Sequence, residues 1–194
     1  MKRQWTTAEL VDHFTVHAVE FAFLANKEEA TRLGCAVLLK TFQYEGRFPA
    51  YRREVPDAIV ASLATQLDLD VATYATYAWK GRTIGYHRAQ IRTLCGFREV
   101  TTDDVVVMTT WLCAQVVPHD CSLDHLKTLV YQRFRTLSIE PPTPDRIDRL
   151  IRSARHAYED QFYTTIMNRL SFTTHANLDA VLVTTTTENE VVLV

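Results

Sequence analysis

Apolar residues recur at helical spacing along nearly the whole chain, strand-like alternation is absent until the extreme C-terminus, and there are only five glycines. That combination restricts the fold to helices packed on helices, and the predicted class is all-α. Local start and stop signals then divide the chain. Thr6-Thr7-Ala8-Glu9 is a capping box, in which Thr6 and Glu9 satisfy each other's orphan amides and turn Leu10 and Phe14 inward. A short helix follows over about Ala18 to Ala25. EEATRLGCAVLLKTFQYEGRFP then places Leu33, Ala36, Val37, Lys40, Phe42 and Tyr44 in a longer helical pattern that stops at Gly46 and Pro49.

Helix, short helix, turn and longer helix is the outline of a helix-turn-helix unit, predicted over residues 1–50. The same order recurs over 51–100, as Pro56 to Leu67, Val71 to Tyr77 and Thr83 to Leu94, so the sequence predicts two tandem trihelical units. The likeness is one of element order and not of residues. A helical extension over 101–182 follows. Its first helix opens with hydroxyl caps, places Asp103 and Asp104 in its first turn and ends at Pro118. Ser122 caps a second helix to about Leu137. After the stiff joint IEPPTP, Thr143 and Pro144 begin the longest helix, from about 143 to 170. A short helix from Thr174 to Leu182 is expected next. The last segment, 183–194, is β-prone, low in complexity and expected to be loosely held.

Hydrophobic content of 47% with six prolines belongs to an ordered globular chain. MKRQWTTAEL lacks the apolar region of a signal peptide, and no apolar run nears the roughly 20 residues that span a bilayer. A cytoplasmic protein without membrane contact is expected. Cys35, Cys95, Cys113 and Cys121 form no CxxC pair and lie in apolar helical patterns, as buried reduced thiols do.

Net charge is −2, short of the basic balance of a domain that is wholly a nucleic-acid binder, but the charges are segregated. Residues 31–98 hold ten Lys or Arg against five Asp or Glu, and residues 99–145 hold three against seven. The densest stretch, KGRTIGYHRAQIRTLCGFR, carries Lys80, Arg82, Arg88, Arg92 and Arg98 without one acid. On a helical wheel Ile84, Ile91, Leu94 and Cys95 form an apolar stripe, with Arg82, Gly85, Tyr86, Ala89 and Thr93 roughly opposite. Small residues let a helix approach a surface closely. Arg82, Tyr86, Gln90 and Arg92 are placed to reach phosphates or base edges, and His87 and Arg88, which flank the stripe, to touch the backbone. A solvated basic face is the competing explanation.

Two other basic groups are more ambiguous. Arg32, Lys40, Arg47, Arg52 and Arg53 lie near Glu28, Glu29, Glu45 and Glu54, which could pair with several of them. Arg146, Arg149, Arg152 and Arg155 spiral around the longest helix, where Asp145, Asp148, Glu159 and Asp160 favour a salt-bridged exposed surface. Cys113, His119, Cys121 and His125 have the order C-x5-H-x-C-x3-H, unlike a zinc finger or ribbon, and no metal or other cofactor is expected. There is no phosphate-cradling glycine loop, G-x-S-x-G or HExxH, so no enzyme is expected. Trp5, Trp79 and Trp111, with Tyr74 and Tyr77, sit among aliphatic residues and read as core.

Several segments resemble the N-terminal region of the Tn-three family of replicative transposases: ANK at Ala25 to Lys27, TRLGCAVLLKTFQYEGRFP at Thr31 to Pro49, GRTIGYHRAQIRTLCGFR at Gly81 to Arg98, and IEPPTPDRIDRLIRSA at Ile139 to Ala154. They recur in the family's order from about Trp5 to Leu182. The resemblance implies an all-helical module that recognises the terminal inverted repeats of a transposon as double-stranded DNA. Its candidate contacts would be Arg32 and Lys40 in the first unit and Arg82, Tyr86, His87, Arg88 and Arg92 in the second; Lys80, Thr83, Gln90 and Arg98 of the same basic stretch complete the candidate set. The family's DDE domain, with its divalent metal, lies beyond the matching segments, so strand cleavage and transfer are not expected of this chain. The threonine-rich end from Val183 departs from the family pattern. The rival expectation is a protein-interaction or regulatory module that docks an acidic partner or an intact transposase.

Overall fold

Ten consecutive residues of the third helix, Leu33 to Phe42, are buried, so this helix has no solvent face along its middle. A helix apolar nearly all round must be enclosed by others, and five helices enclose it. In the computed structural model, which describes residues 2–171 together with 173, 174, 176, 177 and 180, these are α1 (Thr7–Phe14), α2 (Ala18–Ala25), α4 (Asp57–Leu67), α5 (Thr73–Thr76) and α6 (Arg82–Cys95) around α3 (Glu29–Glu45). The remaining described helices are α7 (Thr102–Trp111), α8 (Leu123–Thr136) and α9 (Pro144–Arg169). Among the described residues the fold is all-α, its one β-type pairing being an isolated bridge between Arg98 and Ile139. None of the described helices is long and apolar enough to cross a membrane.

The caps follow the sequence closely. Thr6 and Glu9 form the capping box of α1, and Thr101 and Asp104 form another at α7. Helix α3 ends at Gly46, whose φ of 74° is left-handed and favours glycine. Pro144 opens α9. Helix α7 differs from expectation at its end, where it runs into a π-helical turn, Leu112–Val116, before Pro118. The expected helix from Thr174 to Leu182 and the segment from Val183 lie largely or wholly outside the described residues.

Buried apolar residues form two clusters. The first runs from Phe14 to Ile91, so α1–α6, including all the helices expected for both trihelical units, share one core. The second runs from Met108 to Ala154 and joins α7, the π turn, α8 and α9. Gly34 shows how tightly the first is packed: a Cβ there would lie 2.2 Å from Cγ of Tyr77, because the tyrosine ring rests on the bare helix backbone. Trp5 and Trp79 pack against this core and Trp111 against the second.

The two clusters are joined by directed polar contacts. Arg98 N–H donates to Ser138 O at 3.0 Å, and Glu140 N–H donates to Arg98 O at 2.8 Å. Arg135 of α8 donates from Nη1 to Tyr44 O and from Nη2 to Gln43 O, both at 2.8 Å, and so caps the carbonyl end of α3. The expectation of four buried thiols is corrected. Cys35 is buried, and burial pushes its thiol up to about 12, but Cys95 and Cys113 are only half-buried and Cys121 is exposed in the turn after Pro118.

Candidate nucleic-acid interface

Helix α6 has an apolar back because Ile84, His87 and Ile91 repeat at spacings of three and four, which puts them on one face against α3. The front is open. Lys80, Arg82, Thr83, Gly85, Tyr86, Ala89 and Thr93 are exposed, and a Cβ on Gly85 would meet no atom within 4 Å. Lys80 and Arg82 make no ion pair among the described residues, and there is no acidic side chain in the first turn of the helix. The start of α6 is therefore an uncompensated cationic surface with close backbone access.

The other expected contact residues divide by what surrounds them. Lys40 is corrected most strongly. It is 4% exposed, and its Nζ donates to both carboxylate oxygens of Glu20, at 3.1 and 3.2 Å. Burial opposes charge on Glu20, but hydrogen bonds from the His17 backbone, Gln43 and Lys40 outweigh it and hold the carboxyl below the usual range. His87 is likewise 4% exposed, with Nδ1 2.8 Å from the Tyr77 hydroxyl and the two rings stacked. Burial, reinforced by the charge of Lys27, lowers its pKa and favours neutral imidazole. Neither side chain can touch a phosphate without unpacking the core. His87, and not the 38% exposed Leu94, completes the apolar stripe of α6.

Arg32 is half-buried and donates from Nη2 to Lys27 O at 3.1 Å, so it fastens the turn between α2 and α3. Arg88 is half-buried, lies over the Phe48 ring and donates to Pro49 O at 3.0 Å. Arg92 is held by Glu140 at 2.7 Å and by Glu99. Arg98 makes a two-pronged bond to Asp104, at 2.6 and 2.7 Å. The acids of the 99–145 region thus neutralise the C-terminal end of the basic stretch and leave its start free. Burial raises the Glu140 pKa against the opposing pull of Arg92.

Sequence reasoning missed Lys27 as a candidate. Its ammonium lies over the rings of Phe23, at 4.6 Å, and Tyr86, at 5.7 Å, and donates to Oε1 of Gln90, so it stands beside the front of α6. The available signal was its place in ANK, between two helices. Of the other basic groups, Arg47 is paired with Glu45 and Glu54, as the sequence suggests. On α9, by contrast, Arg149 and Arg152 donate to the backbone oxygens of Asp145 and Asp148, while Asp148 pairs with Lys127 of α8. Among the described residues no three of His, Cys, Asp or Glu converge in a way that could hold a metal ion.

Over 175 residues, 90% of its length, the chain is 23% identical to the transposase for transposon Tn3926 of Escherichia coli, and it spans 18% of that protein's length. A family model described as a domain of unknown function, DUF4158, matches residues 1–154, which contain both cores and the whole of α6. The chain belongs to the DUF4158 family.

Proposed function

We propose that this chain is a non-catalytic DNA-binding module that recognises the terminal inverted repeats of a transposon for a replicative transposase. The observation that carries this reading is the front of α6, where Lys80 and Arg82 are exposed and without an ion pair among the described residues, beside an open glycine-containing helix face. A helix of this kind suits the major groove, which admits an α-helix and is read by residues near its N-terminus. Phosphate contacts from Lys80 and Arg82 supply salt-dependent affinity, and Thr83, Tyr86 and Gln90 supply selectivity. The similarity to a transposase supports the choice of target.

The test is a gel-shift titration of the full chain across a range of salt, with inverted-repeat duplex and a scrambled duplex of equal length. The expected result is binding of the repeat on the order of 1,000-fold tighter than the scramble, weakening log-linearly with salt. Equal affinity for the two duplexes would overturn specific recognition.

A second reading, as a protein-docking module, is favoured by the far half of α9, where Phe162, Tyr163, Ile166 and Met167 are exposed. Weak retention on heparin together with a stable dimer in light scattering would support it over DNA binding.

A further inference from the structure

Gln90 and Lys27 come from different elements, yet they form one polar pair at the edge of the α6 front. Lys27 is fixed from several sides. Its N–H donates to Leu24 O at 2.9 Å, its carbonyl accepts from Arg32, and its ammonium is seated on Phe23 and Tyr86. Both partners are half-buried, so each is packed against the protein and still partly accessible to solvent. An ammonium has donors only, so the glutamine must turn its oxygen toward Lys27 for a hydrogen bond to form, and its NH2 group faces away.

That orientation has a consequence for base recognition. A glutamine reads adenine by accepting from N6–H2 with its oxygen while donating to N7. Here the oxygen is engaged by a cation, and the adenine amino group would approach a positive charge. Guanine instead offers two acceptors, N7 and O6, and the pair offers donors from both members. We propose that Lys27 and Gln90 act as one guanine-selective contact, in which the lysine converts a glutamine from an adenine reader into a donor-only reader. This inference rests on the DNA-binding reading above. It adds a specificity-determining residue and the base class that it selects.

The test uses the full chain and duplexes substituted one position at a time across the bound repeat, measured for wild type, Lys27→Met, Lys27→Arg and Gln90→Ala. At the position where Gln90→Ala flattens the preference, wild type should favour guanine over adenine on the order of tenfold. Lys27→Met should remove or reverse that preference there and leave other positions unchanged. Lys27→Arg, which keeps the charge and donors, should retain it and gives a readout even if the methionine variant folds poorly. A guanine preference unchanged in Lys27→Met, or an adenine preference of wild type at that position, would overturn the inference while leaving DNA binding intact. Failure of wild type to bind any duplex would overturn the reading on which it rests.

Discussion

Helices α3 and α6 both carry basic residues in segments that resemble one family, yet they use them in opposite ways. Helix α3 is enclosed by five neighbours, and Lys40 within it is turned into a buried partner for Glu20. Helix α6 is covered on one side only, and the cations at its start stay in solvent. The number of charges in a helix therefore says little about its role; what matters is how many faces other elements occupy. The same rule divides α6 itself. Arg92 and Arg98, at and beyond its C-terminal end, meet Glu99, Asp104 and Glu140, whereas Lys80 and Arg82 meet no acid among the described residues.

The largest effect is expected from removing the buried cation. Lys40→Met leaves Glu20 charged and buried without its cation, with only the His17 and Gln43 hydrogen bonds, and is expected to cost about 3–5 kcal/mol in urea unfolding. Adding Glu20→Gln should recover most of that loss, since the buried charge is then gone. A loss below about 1 kcal/mol for Lys40→Met, within the ordinary range of a solvent-exposed pair, would mean that Lys40 is not enclosed as described. Gly34→Ala should come next in size. The added Cβ meets the Tyr77 ring at 2.2–2.6 Å, and overpacking of this kind costs about 1–3 kcal/mol, read as a lower urea midpoint.

The pH dependence sharpens the same contrast. The Glu20 carboxyl is depressed in the folded state, so its contribution is complete above the ordinary glutamate range and is lost as pH falls through the depressed value. The double variant Lys40→Met with Glu20→Gln should therefore show a flatter acid limb of stability than wild type. The smallest effect on stability is expected on the α6 front. Lys80→Ala with Arg82→Ala should change unfolding free energy by less than about 0.5 kcal/mol, because both side chains are exposed and neither has an ion pair to lose among the described residues.

The parts legible in the sequence are those set by near neighbours along the chain. The Thr6–Glu9 box, the stop at Gly46 and the Thr143-Pro144 start are each written within four residues, and α2 falls at Ala18–Ala25 as its periodicity suggests. What stayed hidden depends on partners that are distant in sequence or belong to another element. Lys40 is neutralised from α2, twenty residues earlier, and His87 is accepted into the core because Tyr77, beyond the turn at Trp79 and Lys80, supplies its hydrogen bond. A wheel drawn for α6 alone assigns the polar His87 to its flank, since the wheel contains no Tyr77. Lys27 was hidden for the same reason, its partner Gln90 being sixty-three residues away. For the candidate site, the open face with Arg82 and Tyr86 was legible, while the withdrawal of Arg88, Arg92 and Arg98 into contacts with Pro49, Glu140 and Asp104 was not.

Whether the start of α6 contacts DNA, as proposed, is decided by a salt titration of the Lys80→Ala, Arg82→Ala double variant on inverted-repeat duplex. If both side chains neutralise phosphates, affinity falls and the slope of log K against log salt becomes shallower by about 1.8, about 0.9 for each contact. An unchanged slope and affinity, in a variant as stable as wild type, would mean that Lys80 and Arg82 do not contact DNA.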